Sequence, residues 1–209
     1  MRPTDTELYQ LAEQTGVALN QHGMMLASAE SCTGGWAGML ITAVPGSSAW
    51  YERGFITYTN TAKQDMLGVK TATLKAYGAV SEPTVLEMAQ GALTHSQAQI
   101  ALAISGIAGP GGGTPKKPVG TVCIGWAMQD GTHHTTTCRL SGAREEIRAR
   151  AVAAALRGVR PAQLLIPGAV LFGISGLAAT LHAAGWMPGT FVGTVLTMGF
   201  FTIALVLFA

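Results

Sequence analysis

Charge is scarce in this chain: Asp, Glu, Lys and Arg make up 11% of its 209 residues, against about 25% in an average soluble domain. The deficit is uneven. Every charged side chain lies at or before Arg160, and none occurs from Pro161 to Ala209. The mean hydropathy of +0.33 therefore averages two unlike segments. A net charge of +2 leaves no basic footprint for nucleic acid, so no such partner is expected. Cysteine is sparse too. Cys32, Cys123 and Cys138 form an odd set without framework spacing, which points to reduced thiols in a cytoplasmic protein. Cys123 and Cys138 fall on neighbouring apparent strands, where free buried thiols are expected rather than a bridge. No C-x-x-C or H-E-x-x-H pattern supports a metal site. His133-His134 reads as part of an exposed strand, and Met1 to Glu7 lacks the apolar core of a signal peptide.

What is present alternates between helix and strand. Thr4 to Gln21 carries Leu8, Leu11, Thr15, Ala18 and Leu19 at helical spacing, closed by Gly23. Met24 to Ala29 reads as a strand and a helix begins at about Gly34. Phe55 to Thr59 is β-branched and aromatic, hence a strand. Thr61 reads as the cap of a short helix that ends at Gly68, and Ser81-Glu82-Pro83 opens another. Gln99 to Ile104 is a compact apolar strand. Val119–Met128 and Thr132–Leu140 flank the Asp130-Gly131 turn as a hairpin. A charged helix runs from Ala143 to about Val159. The pattern predicts an α/β fold: a three-layer α/β/α sandwich around a mixed sheet.

Three clusters carry candidate chemistry. Ala29-Glu30-Ser31-Cys32-Thr33-Gly34-Gly35 places small nucleophiles at a strand-to-helix turn, where unpaired amides and the helix dipole can stabilise an anion. The competing reading is a simple helix cap. Ser105-Gly106 opens a glycine-rich run through Gly113 that can bring backbone amides close to a ligand or merely form a surface loop. It matches neither a Walker A loop nor G-x-G-x-x-G. Lys116 and Lys117 beyond it suit either a phosphate or solvent. Lys63 follows Tyr58-Thr59-Asn60 by one helical turn, as a base with a lowered pKa or as a solvated surface lysine. Serine with a lysine base is a known alternative to the Ser-His-Asp triad.

Together with Gly46 to Gly54, Gly78-Ala79-Val80-Ser81-Glu82 and Lys117 to Val122, these clusters resemble the CinA C-terminal-domain family over roughly residues 5–159. Its enzymatic members are nicotinamide-nucleotide amidases, which convert nicotinamide mononucleotide to nicotinic acid mononucleotide and ammonia. The resemblance implies that Ser31 is the nucleophile and Lys63 its base, with Tyr58 in the same network. It implies substrate contacts from the turn at Cys32, Thr33 and Gly34, from Asn60, Ser105 and Gly106, and from Arg144 near the ligand phosphate. It implies no metal and no cofactor. The family's Gly-Asp-Arg is Gly142-Ala143-Arg144 here; Ser141 offers an alternative cap for the helix that follows. A non-catalytic nucleotide-binding module of the same fold, and a thiol amidase using Cys32, are the competing functions.

The expected domains are residues 1–160, the amidase-like part, and the uncharged 161–209. Leu164 to Ala184 and Thr190 to Ala209 each approach the ~20 residues that span a bilayer, with Trp186 to Gly189 as a turn between them. Arg148, Arg150, Arg157 and Arg160 precede them, which keeps the first domain cytoplasmic. The expectation is a helical hairpin associating with a membrane. Apolar helices packed on the domain or across an oligomer interface, or a reading-frame extension, are the alternatives. A homo-oligomer is also expected, because α/β amidases often complete their sites across a subunit interface.

Overall fold

The structure is a computed structural model that describes residues 2–159. The predicted hairpin and membrane anchor over 161–209, and the boundary after residue 160, lie outside the described residues. Among the described residues no helix is long and apolar enough to cross a membrane.

Five strands form one mixed sheet in the order β2-β1-β3-β4-β5. They are β1 (Leu26–Glu30), β2 (Tyr51–Ile56), β3 (Ile100–Gly106), β4 (Thr121–Met128) and β5 (His133–Arg139). β1 runs parallel to both β2 and β3, while β4 and β5 continue the sheet antiparallel. Side-chain alternation then defines two faces. Leu26, Leu102, Ile104, Ile124 and Trp126 lie on the face covered by α1 (Asp5–Gln21), α2 (Trp36–Thr42) and α6 (Arg144–Arg157). Trp126 is anchored there by its indole N–H, which donates to the Ala155 carbonyl at 3.0 Å. Ala27, Ala29, Ala101, Ala103 and Ala127 form the other face, beneath α5 (Glu82–Thr94) and flanked by α3 (Asn60–Leu67) and α4 (Thr71–Tyr77). Small residues on that face let α5 sit close: a Cβ on Gly125 would lie 2.9 Å from the Val85 carbonyl oxygen. The described residues thus form the predicted three-layer α/β/α sandwich.

The connection from β1 to β2 passes over one face through α2, and that from β2 to β3 over the other through α3, α4 and α5. β1 is therefore the topological switch point, and the crevice beyond its carboxyl end is where α/β sheets bind ligands. β2 and β3 end at the same edge. Ser31, the 57–60 segment and Ser105 all arrive there.

Several boundaries differ from expectation for a common reason. The strand expected at Phe55–Thr59 is instead Tyr51–Ile56, because its partner β1 stops at Glu30. The Thr57 amide makes the last link, to the Glu30 carbonyl at 2.8 Å, and the chain then leaves the sheet. α3 is capped by Thr59, whose hydroxyl accepts from the Ala62 amide at 3.0 Å, and not by Thr61. α4 had no sequence signal: Glu87 holds it from α5, accepting from the Lys70 amide at 2.9 Å and the Thr73 hydroxyl at 2.7 Å. The cap expected from Ser141 is absent as well. Arg150 donates to both the carbonyl and the hydroxyl of Ser141. Ala143 occupies the N-cap position of α6 with no side-chain oxygen to offer. Only the reciprocal half of a capping box survives, the Ala143 amide donating to Glu146 Oε2 at 2.8 Å.

Restoring the missing half should stabilise the fold. Ala143→Asp is expected to add about 1 kcal/mol, read as a rise in thermal midpoint over the parent protein. No rise would mean that the first turn of α6 is already satisfied.

Candidate active site

The turn after β1 is organised by strand alternation. Consecutive residues point to opposite faces, so Glu30 turns toward α2 while Ser31 turns toward α3. The Ser31 amide still bonds the Ile104 carbonyl at 2.9 Å, so the nucleophile candidate sits on the last rung of the sheet. Glu30 is 1% exposed, and its carboxylate accepts from the amides of Gly35 (3.1 Å), Ala37 (3.1 Å) and Gly38 (2.9 Å). The first turn of α2 is therefore satisfied by the chain's own carboxylate. The positive helix end that the sequence offers to a substrate anion is occupied. Thr33 does not cap the helix: the N-cap position is Gly35, in the left-handed conformation (φ 93°), and the Thr33 hydroxyl is buried without a partner among the described residues. The amides of Cys32 and Thr33 have no protein acceptor among the described residues. They are the donors left over in the turn.

Lys63 faces Ser31 from α3. Its Nζ lies 3.0 Å from Ser31 Oγ and 2.8 Å from the Thr57 carbonyl oxygen, and the side chain is 1% exposed. It is not a solvated surface lysine. Burial holds its pKa below the ordinary lysine value, with only a Cys32 thiolate acting the other way. That thiolate is not present near neutral pH. Burial pushes the Cys32 thiol up to about 12, with the nearby Glu30 carboxylate adding to the rise. A neutral thiol is a poor nucleophile. The Ser31 hydroxyl and the Lys63 amine thus stand within hydrogen-bonding distance of each other at a buried position.

Tyr58, Asn60, Ser105, Gly106 and Arg144 line one cleft of about 190 Å³ with Ser31, Cys32 and Lys63. Ser105 and Gly106 come from the end of β3, Asn60 from the start of α3, Tyr58 from the loop before it and Arg144 from the start of α6. Ser105 donates to the Ala79 carbonyl at 2.7 Å, which ties β3 to the strip lining the cleft opposite it. Tyr58 is 60% exposed, and its hydroxyl accepts from Arg144 at 3.2 Å. No hydrogen bond joins Tyr58 to Ser31 or Lys63 among the described residues, so the expected common network divides into two pairs. Arg144 also donates to the Gly109 carbonyl at 2.7 Å. The glycine-rich run is thus split in role: Ala108 and Gly109 reach the cleft or its arginine, while Gly111 to Gly113 are exposed. Thr33 and Gly34, expected as substrate contacts, do not line it. Lys117 is a strut, donating to the carbonyls of Tyr77 and Val80 at 2.7 Å each, and Lys116 is exposed.

Two residues at the site were not singled out from the sequence. Glu30 was visible only as part of a motif. Arg148 was counted with the arginines flanking the tail, yet its Nε donates to the Cys32 carbonyl at 3.1 Å and its terminal nitrogen to the Thr33 carbonyl at 2.8 Å. Its guanidinium also lies 5.2 Å from the centre of the Trp36 ring, within cation–π range. Spacing held the clue, since Arg144 and Arg148 are one helical turn apart and share a face.

The comparisons with known proteins agree with this architecture. The CinA C-terminal domain family model matches residues 8–162. Nicotinamide-nucleotide amidohydrolase PncC of Escherichia coli (strain K12) is 53% identical over 154 residues, covering 74% of this chain and 93% of that protein. A CinA-like protein of Akkermansia muciniphila is 50% identical over 145 residues, 69% of this chain but 35% of that protein. Among solved structures, the competence/damage inducible protein CihA of Agrobacterium tumefaciens superimposes with a TM-score of 0.71 at 46% identity, covering 75% of this chain and 94% of that one. By sequence and by fold, the chain belongs to the CinA C-terminal domain family.

Proposed function

We propose that the protein hydrolyses the carboxamide of nicotinamide mononucleotide to nicotinic acid mononucleotide and ammonia, with Ser31 as nucleophile and Lys63 as general base. The substrate reading is supported by the 53% identity to a nicotinamide-nucleotide amidohydrolase over nearly that protein's full length. The observation that carries the mechanism is the 3.0 Å separation of Lys63 Nζ from Ser31 Oγ at a buried site that favours the neutral amine.

In this reading the neutral Lys63 amine accepts the Ser31 proton as Oγ attacks the amide carbon. The quaternised ring nitrogen of the substrate draws electrons from that carbon and eases the attack. The amide of Cys32, the residue that lines the cleft beside Ser31, is offered to the developing oxyanion. Lys63, now an ammonium, returns the proton to the departing nitrogen, and the C–N bond breaks to give ammonia and a Ser31 ester. Water then attacks the ester with Lys63 again as base, releasing the carboxylic acid and restoring Ser31. Arg144 lies on the same cleft and supplies the positive charge for the phosphate, oriented by Tyr58 and the Gly109 carbonyl. A non-catalytic nucleotide-binding module draws its support from Ala143, which lacks the family's aspartate. Arg144 nevertheless reaches the cleft without it, so the loss does not remove the arginine from the site.

Ammonia release from nicotinamide mononucleotide separates these readings. The parent protein is expected to give ammonia and nicotinic acid mononucleotide in equal amounts, and Ser31→Ala to lose at least about a thousandfold in kcat. Cys32→Ala is expected to keep releasing ammonia, which a thiol nucleophile would forbid. Equal rates in the parent and Ser31→Ala would reject the serine mechanism.

The pH dependence carries the sign of the Lys63 shift. Because the base acts as the free amine and burial lowers its pKa, kcat/KM is expected to rise with pH and level off below the ~10.4 of an ordinary lysine. Lys63→Arg, which stays charged, should abolish both the activity and the limb. A limb retained in Lys63→Arg would assign the base elsewhere.

A further inference from the structure

One wall of the cleft has no secondary structure of its own. The chain leaves α4 at Gly78 (φ 77°) and reaches α5 through a series of bends, and Ala79 and Val80 of this strip line the cleft. Among the described residues no backbone amide bonds the carbonyls of Tyr77, Gly78, Ala79 or Val80. Side chains bond all four. The Gly78 carbonyl is held locally, by the Ser81 and Thr84 hydroxyls at 2.9 Å each. Ser105 takes the Ala79 carbonyl at 2.7 Å. The two outer carbonyls go to one group. Lys117 Nζ donates to Tyr77 O and Val80 O at 2.7 Å each, from 40 and 37 positions along the chain.

We propose that Lys117 is a positioning residue for substrate binding: it latches the strip 77–80 in place as a wall of the cleft, from the far end of the glycine-rich loop. The inference rests on this cleft being the site that takes nicotinamide mononucleotide. Lys117 does not line the cleft, and two of its three donors are spent on the strip's carbonyls, so it acts on the substrate through the wall and not by touching its phosphate. The lysine is itself firmly placed. Its amide donates to the Thr114 hydroxyl at 3.0 Å, and the Thr114 amide returns to the Lys117 carbonyl at 2.9 Å. Arg139 holds the preceding carbonyl, of Lys116, at 3.0 Å. The base of the loop is closed where the Ile107 amide meets the Thr121 carbonyl at 2.8 Å and the Gly120 amide meets the Ile107 carbonyl at 2.7 Å. At its near end the same loop holds Arg144 through the Gly109 carbonyl. One loop thus sets two parts of the cleft, the arginine through a carbonyl and the wall through a lysine.

A wall that has lost its latch is in the binding position for only a fraction of the time, and apparent affinity falls by that fraction. The Ser31–Lys63 pair is held separately, by the last rung of β1 and by α3, so turnover of bound substrate is spared. The test is steady-state hydrolysis of nicotinamide mononucleotide by the full chain carrying Lys117→Met or Lys117→Arg, with thermal midpoints and limited chymotrypsin digestion of the free proteins measured alongside. Lys117→Met is expected to raise KM at least about fivefold while kcat stays within about threefold. It should also speed cleavage after Tyr77, an exposed residue at the start of the strip, at least about fivefold. Lys117→Arg keeps a cation with two donors and should recover most of both changes. If Lys117→Met does not fold, Lys117→Gln takes its place under the same criteria. A folded variant with KM within about twofold of the parent, or with lowered kcat at unchanged KM, would overturn the proposal. So would a raised KM without faster cleavage after Tyr77, which would put Lys117 on the ligand itself. These results leave the amidase reading intact, whereas a parent protein that releases no ammonia from this substrate would overturn both.

Discussion

The site depends on how β1 ends. An extended chain sends successive side chains to opposite faces, so the last residue of the strand and the residue after it face different layers of the sandwich. Glu30 enters the layer of α2 and gathers three amides of that helix's first turn. Ser31 enters the layer of α3, where Lys63 waits 3.0 Å away. One carboxylate secures the helix on one side, and the hydroxyl meets the lysine on the other. Were the helix start not satisfied from within, its amides would compete for the same anion as the turn's. Because Glu30 occupies them, those amides are not offered to an anion in the cleft.

Around this point the fold converges three parallel strand ends, which is why residues far apart in sequence share one cleft. β2 delivers Thr57 and Tyr58, β3 delivers Ser105, and α3 and α6 contribute Lys63 and Arg144. Lys63 has a specific cost attached. Its amine is buried beside a neutral thiol and two oxygen acceptors, with no carboxylate paired to it among the described residues. Burial lowers its pKa, so the unfolded chain binds more protons between the folded and ordinary values, and stability rises with pH across that window. Below the folded value the full penalty is present. The feature that suits Lys63 to act as a base is one that a protein selected for stability alone would not keep.

Much of this was legible in the sequence where local pattern decides. The apolar run before Ser105 is β3, the Asp130-Gly131 turn joins β4 to β5, and Gly68 ends α3 in the left-handed conformation that glycine favours. The serine turn, Lys63 and Ser105 stood out by local pattern, as small nucleophiles at strand ends and a lysine one turn into a short helix, whereas Arg144 was singled out by the family resemblance alone. What failed was decided over distance. β2 is offset because its partner strand stops early, and α4 is held from a neighbouring helix by Glu87. Glu30 stood only as one letter of the serine motif until alternation and packing placed it under α2. Arg148 looked like one of several arginines ahead of an uncharged tail, and only the three-dimensional return of α6 to the Ser31 turn shows its contacts.

The central claim is that Ser31 itself carries the substrate's acyl group between the two halves of the reaction. Acid quenching during turnover of nicotinamide mononucleotide, followed by intact-mass and peptide mass spectrometry, tests it directly. The account predicts a transient adduct with the mass of the nicotinate-mononucleotide acyl group, mapped to the peptide at Ser31, formed in step with ammonia and absent from Ser31→Ala. Ammonia release without any adduct in a rapid-quench time course, or an adduct mapped to Cys32, would contradict it.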